Sequence, residues 1–227
     1  MKKIKKIMLT TFLVAFAFVF AACGINVSRF EGSLSERRIN VFVGEIDGVK
    51  VQAITGQREE PFILDGKATG MQDFTLITIE PDEFMGTVEF SYRVVIGENE
   101  FRGEMVPHPF GRTYSTNINH LSEVEDMTLY LQRGDGEEKQ IILKSVLTED
   151  MIDYYKALSI AANRLEKQID NMTQNGVLYA EIFVRLMANP VDNTGGFYWY
   201  VAFLTPEGNM YAALIHPVSM EIVAVRD

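Results

Sequence analysis

Three histidines, His108, His120 and His216, are the imidazoles this 227-residue chain offers for acid–base work or metal binding. No two stand at the short spacing of a local zinc site, and no HExxH occurs, so no metal ligand set is expected. His108 lies in Val106-Pro107-His108-Pro109-Phe110-Gly111-Arg112, a loop whose prolines restrict the backbone. Its plainer role is a rigid connection. Its functional role would be a binding surface made of His108, Phe110 and Arg112. His216, just before Pro217, reads as a strand-end residue. None of the serines sits in a GxSxG elbow, Ser159 does not open an SxxK, and no glycine-rich phosphate loop is present. The carboxylates Glu59-Glu60, Glu80, Asp82-Glu83, Glu98, Glu100, Glu123 and Glu125-Asp126 are distributed like turns and solvated faces. A glycosidase pair would require two of them across a cleft, and a calcium loop would require a DxDxDG pattern that is absent. Arg133-Gly134-Asp135 spells an adhesive tripeptide, but Asp135-Gly136 more simply turns one strand into the next. No catalytic residue, metal or cofactor is expected.

The remaining nucleophile is Cys23, the single cysteine, so no intrachain disulfide can form. Lys2, Lys3, Lys5 and Lys6 make a basic start. Residues 7–22 are apolar apart from Thr10 and Thr11, and they end in Ala21-Ala22. That is the layout of a signal peptide, shorter than the roughly 20 residues that span a bilayer comfortably. Phe20-Ala21-Ala22-Cys23 resembles the lipobox of bacterial lipoproteins, in which cleavage falls just before a cysteine carrying diacylglycerol on its sulfur. The resemblance covers about the first tenth of the chain. It implies that Cys23 is the lipid attachment point and first mature residue, held at the outer, extracytoplasmic face of a cell membrane. A thioether-linked sulfur is neither nucleophile nor ligand, and more than one acyl chain gives durable attachment.

Charge narrows the partners. The whole chain carries −10. Loss of the four leader lysines leaves 17 basic against 31 acidic side chains, about −14. Such a body repels phosphate backbones and shows no basic stripe, so no nucleic acid is expected. The expected partners are membrane lipid through Cys23 and another envelope protein or cell-wall component.

Residues 38–146 read as seven or eight short strands. The first pair is Arg38-Ile39-Asn40-Val41-Phe42-Val43 and the alternating Val49-Lys50-Val51-Gln52-Ala53-Ile54, joined through Asp47-Gly48. Further strands are expected at 61–66, 74–79, 87–96, 101–106, 127–131 and 139–144. This spacing predicts an immunoglobulin-like β-sandwich. From Leu147 the period changes. Met151, Tyr155, Leu158, Ala162, Leu165, Ile169 and Met172 recur at steps of four and three, predicting a helix of about 25 residues capped by Thr148. Four strands follow, at 177–187, 197–204, 210–217 and 221–225. The expected fold class is mainly β / α+β, an immunoglobulin-like β-sandwich followed by a long helix packed on a four-stranded antiparallel sheet. The expected organisation is signal peptide 1–22, lipid-attached tether 23–37, sandwich domain 38–146 and helix-plus-sheet domain 147–227.

The aromatic strand from Phe197, the turn Pro206-Glu207-Gly208-Asn209, the strand ending His216-Pro217 and then Glu221-Ile222-Val223 resemble PepSY-type modules. Those are small helix-plus-sheet units of secreted and membrane-linked bacterial proteins, regarded as protease-inhibitory or interaction modules. Within Phe197-Tyr198-Trp199-Tyr200 the side chains alternate, so Tyr198 and Tyr200 share a face opposite Phe197 and Trp199. If the helix covers one face, the two tyrosines are either a binding surface or the contact with the first domain. The functional expectation is a membrane-anchored lipoprotein with a non-enzymatic binding or structural interaction role. The alternative is a cell-envelope hydrolase using dispersed carboxylates or His108.

Overall fold

The computed structural model describes residues 27–82, 88–190 and 195–227. Cys23 and the leader lie outside the described residues. The described chain opens with a 3-10 helix, Val27–Ser33, that buries Phe30 edge-on against Phe203 at 6.1 Å. It runs directly into β1 (Leu34–Ile46), which folds back as β2 (Val49–Glu59). The turn forms because Asp47 (φ 48°) and Gly48 (φ 73°) both take left-handed backbone, as a two-residue type I′ hairpin requires.

Seven more strands complete the first half. They are β3 (Met71–Pro81), β4 (Phe90–Ile96), β5 (Asn99–Glu104), β6 (Val106–Pro107), β7 (Tyr114–Ile118), β8 (Asp126–Arg133) and β9 (Lys139–Ser145). Their lateral order is β6-β7-β3-β2-β1-β9-β8-β4-β5. Its two ends, β5 and β6, are separated in the chain only by Met105, so the sheet curls until it nearly closes. Where the chain leaves β5, the Met105 N–H donates to the Phe90 carbonyl at 2.8 Å and extends the β4-β5 ladder by one residue. Alternating residues, among them Phe42, Val51, Ile77, Ile79, Phe90, Leu129 and Leu143, fill the interior.

The second half packs on the outside of this wall. Asp153 caps α1 (Tyr154–Arg164) by accepting from the Lys156 N–H at 2.7 Å, and α2 (Glu166–Met172) follows at once. The chain then forms a small hairpin, β10 (Thr173–Gln174) with β11 (Val177–Leu178), and four strands. These are β12 (Glu181–Ala188), β13 (Phe197–Leu204), β14 (Met210–Ile215) and β15 (Ile222–Arg226), antiparallel in sequence order. The helices cover Ile182, Val184, Trp199, Val201, Phe203 and Ile215 with Leu158, Ala161, Leu165 and Ile169, a second core.

Both halves share β1. Its first residues pair in parallel with β12, Leu34 opposite Ile182 and Arg38 opposite Arg185. Beyond a register shift between Arg38 and Asn40, Phe42 and Val43 pair with β9. Val41 accordingly points into one core and Phe42 into the other. Gly56, opposite Arg38, permits this crossing: a Cβ there would sit 1.9 Å from the Arg37 carbonyl oxygen.

The expected fold class is overturned. Strands hold 53% of the described residues and helices 13%, and thirteen strands make one sheet where a separate sandwich and a four-stranded sheet are expected. The physical reason is β1, which starts at Leu34 and not Arg38, and whose early residues satisfy the edge of β12. Nor is there one long helix. Thr148 does not cap it, Met151 precedes it, and Tyr155 is 40% exposed. Leu165 (φ −106°, ψ 21°) bends the segment. Hydrogen bonding still runs through it, Leu165 N–H to Ala161 O and Ile169 N–H to Leu165 O, both 2.9 Å.

Candidate functional site

Strand alternation sorts the C-terminal sheet into two faces. One lies under the helices. On the other, cross-strand neighbours bring Phe183 beside Ala202, Arg185 beside Tyr200, and Leu204 beside Met210. Parallel pairing places Glu36 of β1 opposite Phe183, and Glu36 is also opposite Arg58 of β2. The loop 60–70 folds over one end of this face, with the Phe62 and Phe183 ring centroids 5.8 Å apart. Between them runs a groove of about 370 Å³, lined by Ser35, Glu36, Arg58, Glu59, Phe62, Phe183, Arg185, Tyr200, Ala202, Leu204 and Met210. That volume lies in the range of small-molecule sites.

Three buried glutamates stand at the groove or just behind it, each with a different set of partners. Glu36 is 8% exposed. It accepts from the Arg38 Nε–H at 2.5 Å and from both the Nε–H (2.8 Å) and a terminal N–H of Arg185. Arg185 also lies over the Phe183 ring at 4.8 Å, so the pair is fixed from two sides. Glu181 is fully buried. It accepts from the Ser35 hydroxyl, the Gly66 N–H at 2.8 Å and the Asp65 N–H at 3.3 Å. Burial pushes its carboxyl above the usual range, and the nearby charge of Glu59 adds to that, while the two backbone N–H donors oppose it. Glu59, 3% exposed, uses Oε1 to accept from the Thr69 N–H (3.0 Å) and hydroxyl (3.1 Å). Its Oε2 is buried and has no hydrogen-bond partner among the described residues.

The sequence-derived surface residues separate. His108, Phe110 and Arg112 form an exposed tip on the connection from β6 to β7. There the Phe110 N–H donates to His108 Nδ1 at 3.2 Å, and the Phe110 ring is 96% exposed. Four strands lie between that edge and β13. Tyr198 and Tyr200 do share the face away from the helices. Tyr200 lines the groove and donates its hydroxyl to the Met210 sulfur at 3.3 Å, whereas Tyr198 stands edge-on to His216 at 5.3 Å. The part of the first half that touches the second on this face is the loop 60–70 over Phe183. Reading Glu59 with Glu60 as a solvated turn is corrected by its burial. Sequence reasoning also missed Glu36, Glu181, Arg185 and Phe62. Glu181 alone carried a local signal, a charge inside the apolar run 177–187.

Chemically the arrangement can hold and orient a ligand. Glu36 is occupied by two guanidiniums, no histidine approaches the groove lining, and no serine there is paired with a base other than Ser35 with the buried Glu181. Among the described residues no three His, Cys, Asp or Glu side chains could hold a metal ion together. No helix among them is long and apolar enough to cross a membrane. No family model, curated protein or solved structure matches the chain.

Proposed function

We propose that the chain is a lipid-anchored extracytoplasmic protein with a non-enzymatic binding role, and that the groove on the open face of its C-terminal sheet is where it binds. The observation that carries the binding half is the groove itself. It has an apolar floor of Phe183, Tyr200, Leu204 and Met210 and a roof of Phe62, and its strongest charged groups are spent on one another. A site built for proton transfer needs a carboxyl or imidazole free to reach the substrate. Here Glu36 is committed to Arg38 and Arg185, and Glu181 to Ser35 and the loop backbone; the one oxygen without a donor, Oε2 of Glu59, has no histidine or second unpaired carboxyl in the groove lining to work with. A fixed set of charges around an apolar trough serves recognition. The anchoring half rests on the residues before Cys23.

Two measurements test the two halves. Mass spectrometry of the mature protein from a bacterial membrane fraction should find a diacylated N-terminal Cys23, and a Cys23→Ser variant should leave that fraction. An unmodified N-terminus elsewhere refutes the anchor. For the groove, small aromatic fragments should shift the Met210 methyl resonance in methyl-labelled protein. Tyr200→Ala should abolish the shift. Fragments that bind only elsewhere, or nowhere, refute the groove.

A further inference from the structure

The Oε2 of Glu59 is a carboxylate oxygen out of water with no donor, in a side chain that lines the groove. Native interiors satisfy almost all such atoms, because an unmet buried acceptor costs the full desolvation of the group. The other charges around the trough have partners. Glu36 holds two arginines, and the Arg58 Nε–H reaches Glu60 at 2.9 Å. The unmet charge at this groove is therefore negative, and it lies beside an apolar floor.

We propose that the groove takes a small primary amine carried on an aromatic or aliphatic body, its ammonium donating to Oε2 of Glu59. This rests on the groove being the binding site and adds the class of ligand. An ammonium suits the position because it is a compact donor with three hydrogens and a positive charge. One can meet Oε2 once the Glu59 carboxylate turns slightly toward the trough, while the others meet solvent or the rim. The body would lie between Phe62 and Phe183, against Tyr200 and Met210, and the volume allows one aromatic ring with a short arm. A carboxylate ligand would place a second negative charge near Glu59, and a neutral alcohol would bring a donor without the charge.

Calorimetry on the full chain with phenethylamine, 2-phenylethanol and 3-phenylpropionate, followed also at the Met210 methyl, separates these cases. The amine should bind at least tenfold more tightly than either analogue, about 1.4 kcal/mol. Glu59→Gln keeps the acceptor for Thr69 and puts an amide donor where Oε2 stood, so it should reduce the amine to the level of the alcohol. Phe62→Ala, a change at a half-exposed ring, should weaken all three together, and the circular dichroism of both variants should match the parent. Equal binding of the three compounds at Met210, or tighter binding of the propionate, overturns the amine while leaving the groove standing. Amine binding unaffected by Glu59→Gln overturns it as well. Absence of any shift at Met210 removes the groove reading beneath it.

Discussion

Glu181 ties three distant segments together, so replacing it should reveal how the second half is held to the first. Its carboxylate accepts from Ser35 at the start of β1 and from the backbone of Asp65 and Gly66 in the loop over the groove. Glu181→Ala leaves the Ser35 hydroxyl and the Gly66 N–H without their acceptor. It also frees the longer, weaker contact from Asp65. At about 1–3 kcal/mol for each buried donor left unmet, two such contacts set the loss at about 2–6 kcal/mol. Glu181→Gln should behave differently. The amide oxygen can keep the Gly66 N–H, and its NH₂ can donate to Ser35 Oγ, whose hydrogen is then free to turn toward the Ser33 carbonyl 3.5 Å away. The expected loss is within about 1 kcal/mol at neutral pH.

The pH dependence adds a sign. The folded carboxyl titrates above its unfolded value because burial disfavours the charge. Between the two values the folded state keeps a proton that the unfolded chain has released. The stabilisation is complete below the unfolded pKa and is lost as pH rises through the folded one. Urea unfolding of parent and Glu181→Gln from mildly acidic to alkaline pH should therefore show the glutamine protein gaining relative stability as pH rises. A difference that is flat, or that grows toward acid, refutes the reasoning, as does a Glu181→Ala loss under about 1 kcal/mol.

Two further changes probe the frame around the site. Gly56→Ala should cost about 2–3 kcal/mol with an unchanged urea slope, because its Cβ would fall 1.9 Å from the Arg37 carbonyl oxygen at the β1 crossing; a loss under about 0.5 kcal/mol means the crossing is not held that tightly. Trp199, the single tryptophan and 1% exposed, should emit as a shielded indole that iodide quenches poorly. Trp199→Phe, which deletes the 2.9 Å bond from its Nε1–H to the Ile152 carbonyl, should cost about 1–2 kcal/mol, checked by the urea midpoint.

Local chemistry explains what could be read without coordinates. Asp47-Gly48 announces its turn because both residues tolerate left-handed backbone, and the alternation after Val49 places Val51 and Ala53 inside. The stripe from Leu158 through Met172 likewise marks the buried side of the helical segment. The bend at Leu165 leaves no such mark, since its hydrogen bonds are those of a continuous helix. Glu59 and Glu60 look alike as a pair, and one is buried while its neighbour is exposed. What separates them is period two at the end of β2 together with Thr69 waiting ten residues on.

The segment Ser35-Glu36-Arg37-Arg38 carries the most consequential misreading, since its first three polar residues are expected in the tether 23–37 and the strand is expected only from Arg38. Each of the four is occupied. Ser35 donates to Glu181, Glu36 takes Arg38 and Arg185, and Arg37 bonds to Gln57 and to the Tyr154 hydroxyl. The partner Arg185 is 149 residues away in sequence. Periodicity reports where water is excluded by apolar faces, and it is blind to a strand whose buried groups are charges matched across the sheet. That blindness falls on the groove for a physical reason. A recognition surface must keep polar groups out of bulk water without spending all of them, so its residues look solvated in sequence and become distinct only when their partners arrive. Glu36 and Glu59 show the difference: one has met its arginines, and the other has Thr69 on Oε1 and no donor on Oε2.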